Sequence, residues 1–284
     1  MYKDYKVVIC TPGGRAEYLD IFKKTIYRKM DEGIVDGWQL GVNTVKPSDI
    51  AYMASMEAEN PKVVRHFLEC LVPSYNNCDT LRSHEFFRYC QDDNTIYIRF
   101  DDDIVWIEEG VIEKMVQARI DHPDAFIIYP NVINSTTVTA WHQKNGSLGY
   151  EAGTLRQQEE NPGDPNYCYL YPFAYTDAGL ISLIHQTFRR RYEEGTLSAY
   201  YLPSRPLTNY EHFSICSVAF WGKDHFQVAP NEEEWIAWKR AQELQRPVYF
   251  LGDALMMHFA YHTQRETVPD INDRFLGFFK EITK

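Results

Sequence analysis

Three consecutive carboxylates, Asp101, Asp102 and Asp103, follow a run in which Ile96, Ile98 and Phe100 alternate with Tyr97 and Arg99. That alternation predicts a strand running straight into the triplet. Adjacent carboxylates repel one another and aspartate is a poor strand former, so something must offset the cluster. In an extended segment Asp101 and Asp103 share one face and Asp102 points to the other. Two hard oxygen donors on one face suit Mg2+ or Mn2+, with water and the oxygens of a phosphorylated ligand completing the shell. An EF-hand loop is excluded, because Trp106 stands where that loop needs Gly and Ile112 where it needs Glu. The competing expectation is a helix cap: a helix starting near Ile107 would favour carboxylates at its N-terminus, which explains one aspartate better than three.

His258 and His262 lie in the mostly apolar stretch "MMHFAYH". On a strand they would share a face, and a neutral imidazole can bind Mn2+. A buried structural histidine is the plainer reading of such a position. Acidic residues that could serve as a base occur at Glu233 and Glu234 in "NEEEWIAW" and at Asp253 in "LGDALMMH". Acids are also common in the first turn of a helix without any catalytic role.

The elements around these residues follow from periodicity. "YKVVICTPGGR" is a short buried strand ending in a Pro-Gly-Gly turn, and the next stretch places Tyr18, Ile21, Phe22, Ile26 and Met30 at helical spacing up to Gly33. "GWQLGVNT" is a second strand, and "PSDIAYMASMEAEN" a short helix with Ser48 as N-cap. "TLRSHEFFRYCQ" is a helix before the strand that carries the triplet. After the triplet comes a helix with Ile107, Val111, Met115 and Ala118 on one face, and then the strand "DAFIIYPNVI". Strand and helix alternate, which describes a mainly parallel central sheet flanked by helices. Ligands bind such sheets at the carboxyl ends of the strands, where the 11–15 turn and the triplet would be neighbours. From about 134 to 164 the pattern dissolves into a loop. A helix at about 175–193, a strand "FSICSVAFWG", a helix capped by Asn231, one or two strands over 247–265 and a closing helix complete an elaborated C-terminal half.

The chain of 284 residues carries 29 Lys and Arg against 40 Asp and Glu, a formal charge of −11. Phosphate-contacting nucleic-acid binders are basic, so nucleic acid is disfavoured as a partner. Six scattered cysteines without a CxxC pair suit free thiols in a reducing compartment. No secretory signature opens the sequence and no apolar run reaches the roughly 18 residues of a membrane span, so a cytoplasmic location is expected. Tryptophans such as Trp141, Trp221, Trp235 and Trp238 are candidates for stacking on sugar rings, and equally for the core.

The order of motifs, "ICTPGGR" after the first strand, "LGVNT" ending the second and "DDD" ending a later one, resembles the GT-A glycosyltransferases, most of all the inverting family 2 group. The resemblance covers about residues 5–130 and then thins. It implies one GT-A-like domain over 1–284, with residues 1–130 binding a nucleotide-sugar and 131–284 binding the acceptor. It further implies a nucleoside-diphosphate-sugar donor, a glycan or other hydroxyl-bearing acceptor, and Mn2+ or Mg2+ held by Asp103, by Asp101 and by His258 as a late third ligand. Asp101 and Asp102 would also meet the nucleotide, together with Thr11, Pro12, Gly14 and Arg15 of the first turn and Asn43 of the second strand. Glu233 or Glu234 would be the general base, with Asp253 in reserve. Two rival expectations remain: a nucleotidyltransferase of similar α/β fold, to whose Gly-rich loop with a basic residue "TPGGRAEYL" is a partial match, and a catalytically silent carbohydrate- or nucleotide-binding protein.

Overall fold

The computed structural model describes residues 2–67, 86–152, 176–207, 213–224, 236 and 239–283. Among the described residues nine strands form one sheet in the order β3-β2-β1-β4-β8-β6-β9-β5, with β7 also paired to β9. The first is β1 (Lys6–Gly13), followed by α1 (Ala16–Asp31), β2 (Gly37–Val42), α2 (Pro47–Glu59) and β3 (Val63–Phe67). β4 (Thr95–Phe100) then pairs with the other side of β1. These four strands are parallel to one another.

β5 (Ile104–Ile107), α3 (Val111–Asp121), β6 (Ile128–Ile133), α4 (Thr136–Lys144) and α5 (Ala178–Glu193) come next. β7 (Arg205–Leu207), β8 (Ser217–Trp221), α6 (Arg240–Glu243), β9 (Val248–His258), α7 (His262–Thr267) and α8 (Gly277–Ile282) close the chain. β8 is antiparallel to both β4 and β6, β6 and β9 are parallel, and β5 and β7 run antiparallel to β9. β1, β2, β3, β4, β6 and β9 therefore point the same way. The expected mainly parallel α/β sheet flanked by helices is what the chain forms.

β1 and β4 are apolar on both faces because helices cover the sheet. α1 buries Tyr18, Leu19, Ile21, Phe22, Ile26 and Met30. Phe22 meets Trp38 and Phe100 edge to face, each at 5.4 Å between centroids, which packs α1 onto β2 and β4. Gly33 sits at φ +74° just beyond the helix, a backbone that favours glycine.

Four local expectations are corrected. α2 starts with Pro47 at its first turn and Lys46 as N-cap, so Ser48 is not the cap. Ile104–Ile107 is a strand held by β9, and the helix after it begins only at Val111 behind Gly110 at φ +82°. A helix cap therefore does not account for the triplet. Thr136–Lys144 is a helix within the stretch expected to be loop. In the described part of "TLRSHEFFRYCQ", Phe86–Tyr89 is a short 3-10 turn.

Candidate functional site

β1, β2 and β3 step outward in one direction, and β4 returns to the opposite side of β1. The order reverses between β1 and β4, and in open α/β sheets the crevice outside the carboxyl ends at such a reversal receives ligands. The β1–α1 turn, Gly14 and Arg15, lies there, as does the Asp101–Asp103 turn after β4. Because β6 and β9 run the same way, Asn134 and His258 end at the same edge.

The triplet is not extended. The Ile104 amide donates to the Asp101 carbonyl at 3.2 Å, and this turn sends the three side chains in different directions. Asp101 accepts two bonds from Arg99, at 2.9 and 3.1 Å, on its own strand. Asp102, buried, accepts from the Gly14 amide at 2.7 Å, from Arg15 Nε at 2.9 Å and from Arg15 Nη2. Asp103, also buried, meets Arg15 Nη1 at 2.9 Å and Arg265 Nη1 at 3.1 Å through Oδ2. Three arginines thus offset the repulsion among three aspartates.

Burial pushes the Asp102 carboxyl up; Arg15 opposes it and the neighbouring Asp103 charge adds to it. Burial also acts upward on Asp103, but the guanidinium groups, Arg15 first and Arg265 with it, outweigh it and hold that carboxyl well below its ordinary range. Asp103 is therefore ionised, and charge-assisted bonds fix it in place.

The glycine in the turn has a steric reason. A Cβ on Gly14 would come within 2.9 Å of the Asn43 carbonyl, so only glycine lets the turn lie against the end of β2. Arg15 follows it with a side chain one third exposed. A guanidinium has five N–H donors, and three contacts to the aspartates leave capacity toward the crevice.

Among the other expected residues, Thr11 is fully buried in β1 and accepts from Trp38 Nε1 at 3.0 Å, and Pro12 is paired with Gly41 inside the sheet. Asn43 lies at the carboxyl end of β2, and its buried Oδ1 has no hydrogen-bond partner among the described residues. Asp253 lies in β9 five residues before His258, half-exposed and paired with Lys114 at 3.0 Å. Glu233, Glu234, Trp235, Trp238 and Asn231 lie outside the described residues. Trp141 packs on Phe213 and Phe250, and Trp221 is buried in the core. His262 opens α7 and pairs with Glu266, so it does not share a strand face with His258.

The structure brings Asp103 and His258 together but not Asp101. His258 Nε2 lies 3.4 Å from Asp103 Oδ1, too long for a strong imidazolium–carboxylate bond, and Oδ1 is buried with no hydrogen-bond partner among the described residues. His258 Nδ1 is 3.3 Å from the Asn134 carbonyl, which can only accept, so the ring's hydrogen is assigned to Nδ1. Two lone pairs then face each other. A divalent cation fits that donor set, one carboxylate oxygen and one imidazole whose other nitrogen donates to a carbonyl.

Sequence reasoning missed Arg265, Arg99 and Asn134. Arg99 stands two residues before Asp101, where alternation marks it only as a strand residue. Asn134 and Arg265 come to the site through the ends of β6 and β9 and not through proximity in the chain.

No family model matches the chain and no curated protein matches its sequence. Among solved structures it is similar to the CMP:2-keto-3-deoxy-manno-octonic acid synthetase complexed with CTP. The identity is 12% and the TM-score 0.44, over 95% of this chain and 98% of that one. The glycosyltransferase expected from the sequence is not what this comparison finds: the similar structure is that of a synthetase complexed with CTP. Among the described residues no helix is long and apolar enough to cross a membrane.

Proposed function

We propose that the chain is a nucleotidyltransferase that binds a nucleoside triphosphate in the crevice between β1 and β4 and passes its nucleotidyl group to a hydroxyl-bearing sugar. One observation carries this reading: a Gly-Gly-Arg turn at the strand-order reversal, with Arg15 anchored on Asp102 and Asp103 and still open to the crevice. A nucleotide-sugar is then the product rather than the donor, which agrees with what the synthetase above is named for and was solved with.

In such a transfer the acceptor hydroxyl gives up its proton to solvent and its oxygen bonds the α-phosphorus, and the bond from that phosphorus to the bridging oxygen breaks as pyrophosphate leaves. Negative charge grows on the leaving group, and a preorganised guanidinium stabilises it without reorganising. Asp102 and Asp103 fix Arg15 in that posture, and the Gly14 bond to Asp102 ties the turn to the end of β4. Arg265 adds a second positive side chain on Asp103. Mn2+ or Mg2+, held by Asp103 Oδ1 and His258 Nε2, would supply charge neutralisation of the phosphates.

The test is calorimetry with CTP, UTP, ATP and GTP, with and without Mn2+, alongside pyrophosphate release with sugar acids and sugar phosphates. Binding of one triphosphate, weakened at least tenfold in Arg15→Met, with pyrophosphate released in the presence of an acceptor, is the expected result. Binding without release with any acceptor would identify a nucleotide-binding protein that does not turn over. No binding at all would overturn the reading.

A further inference from the structure

We propose that Asn134 is a positioning residue that sets His258 and Arg265 against Asp103. The proposal rests on Asp103 and His258 being the ligand-facing pair of the crevice. Asn134 follows β6 directly and adopts φ +63°, in the left-handed region, while only 2% exposed. Asparagine tolerates that backbone better than most residues, and a costly conformation beside a site calls for a reason.

The contacts supply one. The Asn134 side-chain amide donates its two hydrogens among three acceptors, the carbonyls of His258 at 3.2 Å and Phe259 at 3.0 Å and Gln264 Oε1 at 2.9 Å. Gln264 Nε2 returns a bond to Asn134 Oδ1 at 2.9 Å, and Gln264 Oε1 accepts the Tyr261 amide at 3.0 Å. The Asn134 main-chain carbonyl meets His258 Nδ1. One residue therefore grips both ends of the segment 258–265: the imidazole at one end, and Gln264 beside Arg265 at the other. Two further bonds seat the same segment, from the Phe259 amide to the Asp103 carbonyl at 2.8 Å and between His185 Nε2 and the Phe259 carbonyl at 2.9 Å.

Closing off two strand-end carbonyls needs only an amide. It does not need the reversed backbone, which lets the same residue present its own carbonyl to the imidazole. That carbonyl can only accept, so it favours the tautomer with the hydrogen on Nδ1, which leaves Nε2 as a lone pair toward Asp103.

The test compares Asn134→Gly, which keeps the backbone and deletes the amide, with His142→Gln. His142 is equally buried and bonds Asn131 at 2.9 Å in a network apart from the crevice. Mn2+ affinity is read from free Mn2+ by electron paramagnetic resonance, the His258 tautomer by 15N NMR, and stability by thermal unfolding. Both variants should melt earlier. Only Asn134→Gly should lose about tenfold in Mn2+ affinity and mix the His258 tautomers. Gln264→Met, which leaves Asn134 in place, should lose less, and it serves if Asn134→Gly does not fold. Unchanged affinity and tautomer in Asn134→Gly, or equal losses in His142→Gln, would overturn the proposal. A wild-type chain that ignores Mn2+ yet holds a single Nδ1–H tautomer, lost in Asn134→Gly, would sink the cation reading and keep the positioning role.

Discussion

Among the described residues two dense charge clusters lie one at each end of α1. At the N-terminal end the Asp101–Asp103 turn meets Arg15, Arg99 and Arg265. At the C-terminal end Glu32, Glu109 and Glu113 lie close enough to hold a metal ion. Judged by ligand spacing alone, the second cluster is the better metal site. Yet Lys29, buried, already sits among its three carboxylates, at 2.8 Å from Glu32 and 2.7 Å from Glu113 and bonded to Glu109. Burial opposes the ammonium charge, and the three glutamates overcome it, raising its pKa. That cluster is an internal ion pair network that ties α1 to the segment after β5. The first cluster keeps a buried carboxylate oxygen facing an imidazole nitrogen at a strand-order reversal. Spacing counts ligands, whereas function follows from which of them the fold leaves unanswered.

Acid should have the largest effect on stability. Burial holds His142 and His185 down to a pKa of about 3, against about 6.5 in the unfolded chain. Between those values the unfolded state binds protons that the folded state refuses. Their contribution is therefore complete above pH 6.5 and is lost as pH falls toward 3. From pH 7 to pH 5 each should cost on the order of 2 kcal/mol, about 4 kcal/mol together. His185 lies under the Phe259 segment of the crevice, while Glu109, lowered by its bond to Lys29, keeps the other cluster charged. Urea unfolding at the two pH values should show this loss, and His142→Gln should roughly halve it. A pH-independent midpoint would contradict the burial argument.

Removing the internal cation comes next. Lys29→Met leaves three carboxylates around an apolar side chain and should cost about 3 kcal/mol, the low end for a broken buried pair because Glu109 is 62% exposed. Its nucleotide affinity should stay within twofold of wild type. A larger change would mean that the two ends of α1 are coupled.

Thr11→Val strands the Trp38 indole N–H inside the sheet and should cost about 1–3 kcal/mol. Nucleotide affinity falling beyond what that instability explains would show that Thr11 reaches the ligand. The smallest effect belongs to Glu32→Gln, one of three partners of Lys29 and partly exposed, at roughly 0.5 kcal/mol. Equality with Lys29→Met would mean that one carboxylate carries the whole network.

Much of this molecule was legible in residue order. The apolar runs of β1, β2 and β4, the stripe of α1 and the Gly-Gly-Arg turn follow from periodicity and steric rules that act over a few residues. Those rules also place the β1 turn and the triplet at one edge of a parallel sheet. The strand Ile104–Ile107 was not legible, because four apolar residues become a strand only when β9 supplies the hydrogen bonds. The direction of each aspartate was not legible either. Alternation put Asp101 and Asp103 on one face, but a turn stabilised by its own backbone bond and by three arginines, from the β1–α1 turn, β4 and α7, separated them. The sequence by itself determined the sheet, the glycine turn and the need for positive charge beside the triplet. Which charges answer it, and which oxygen is left facing His258, was decided only by tertiary structure, since residues 15, 134, 258 and 265 meet through strand register rather than through proximity in the chain.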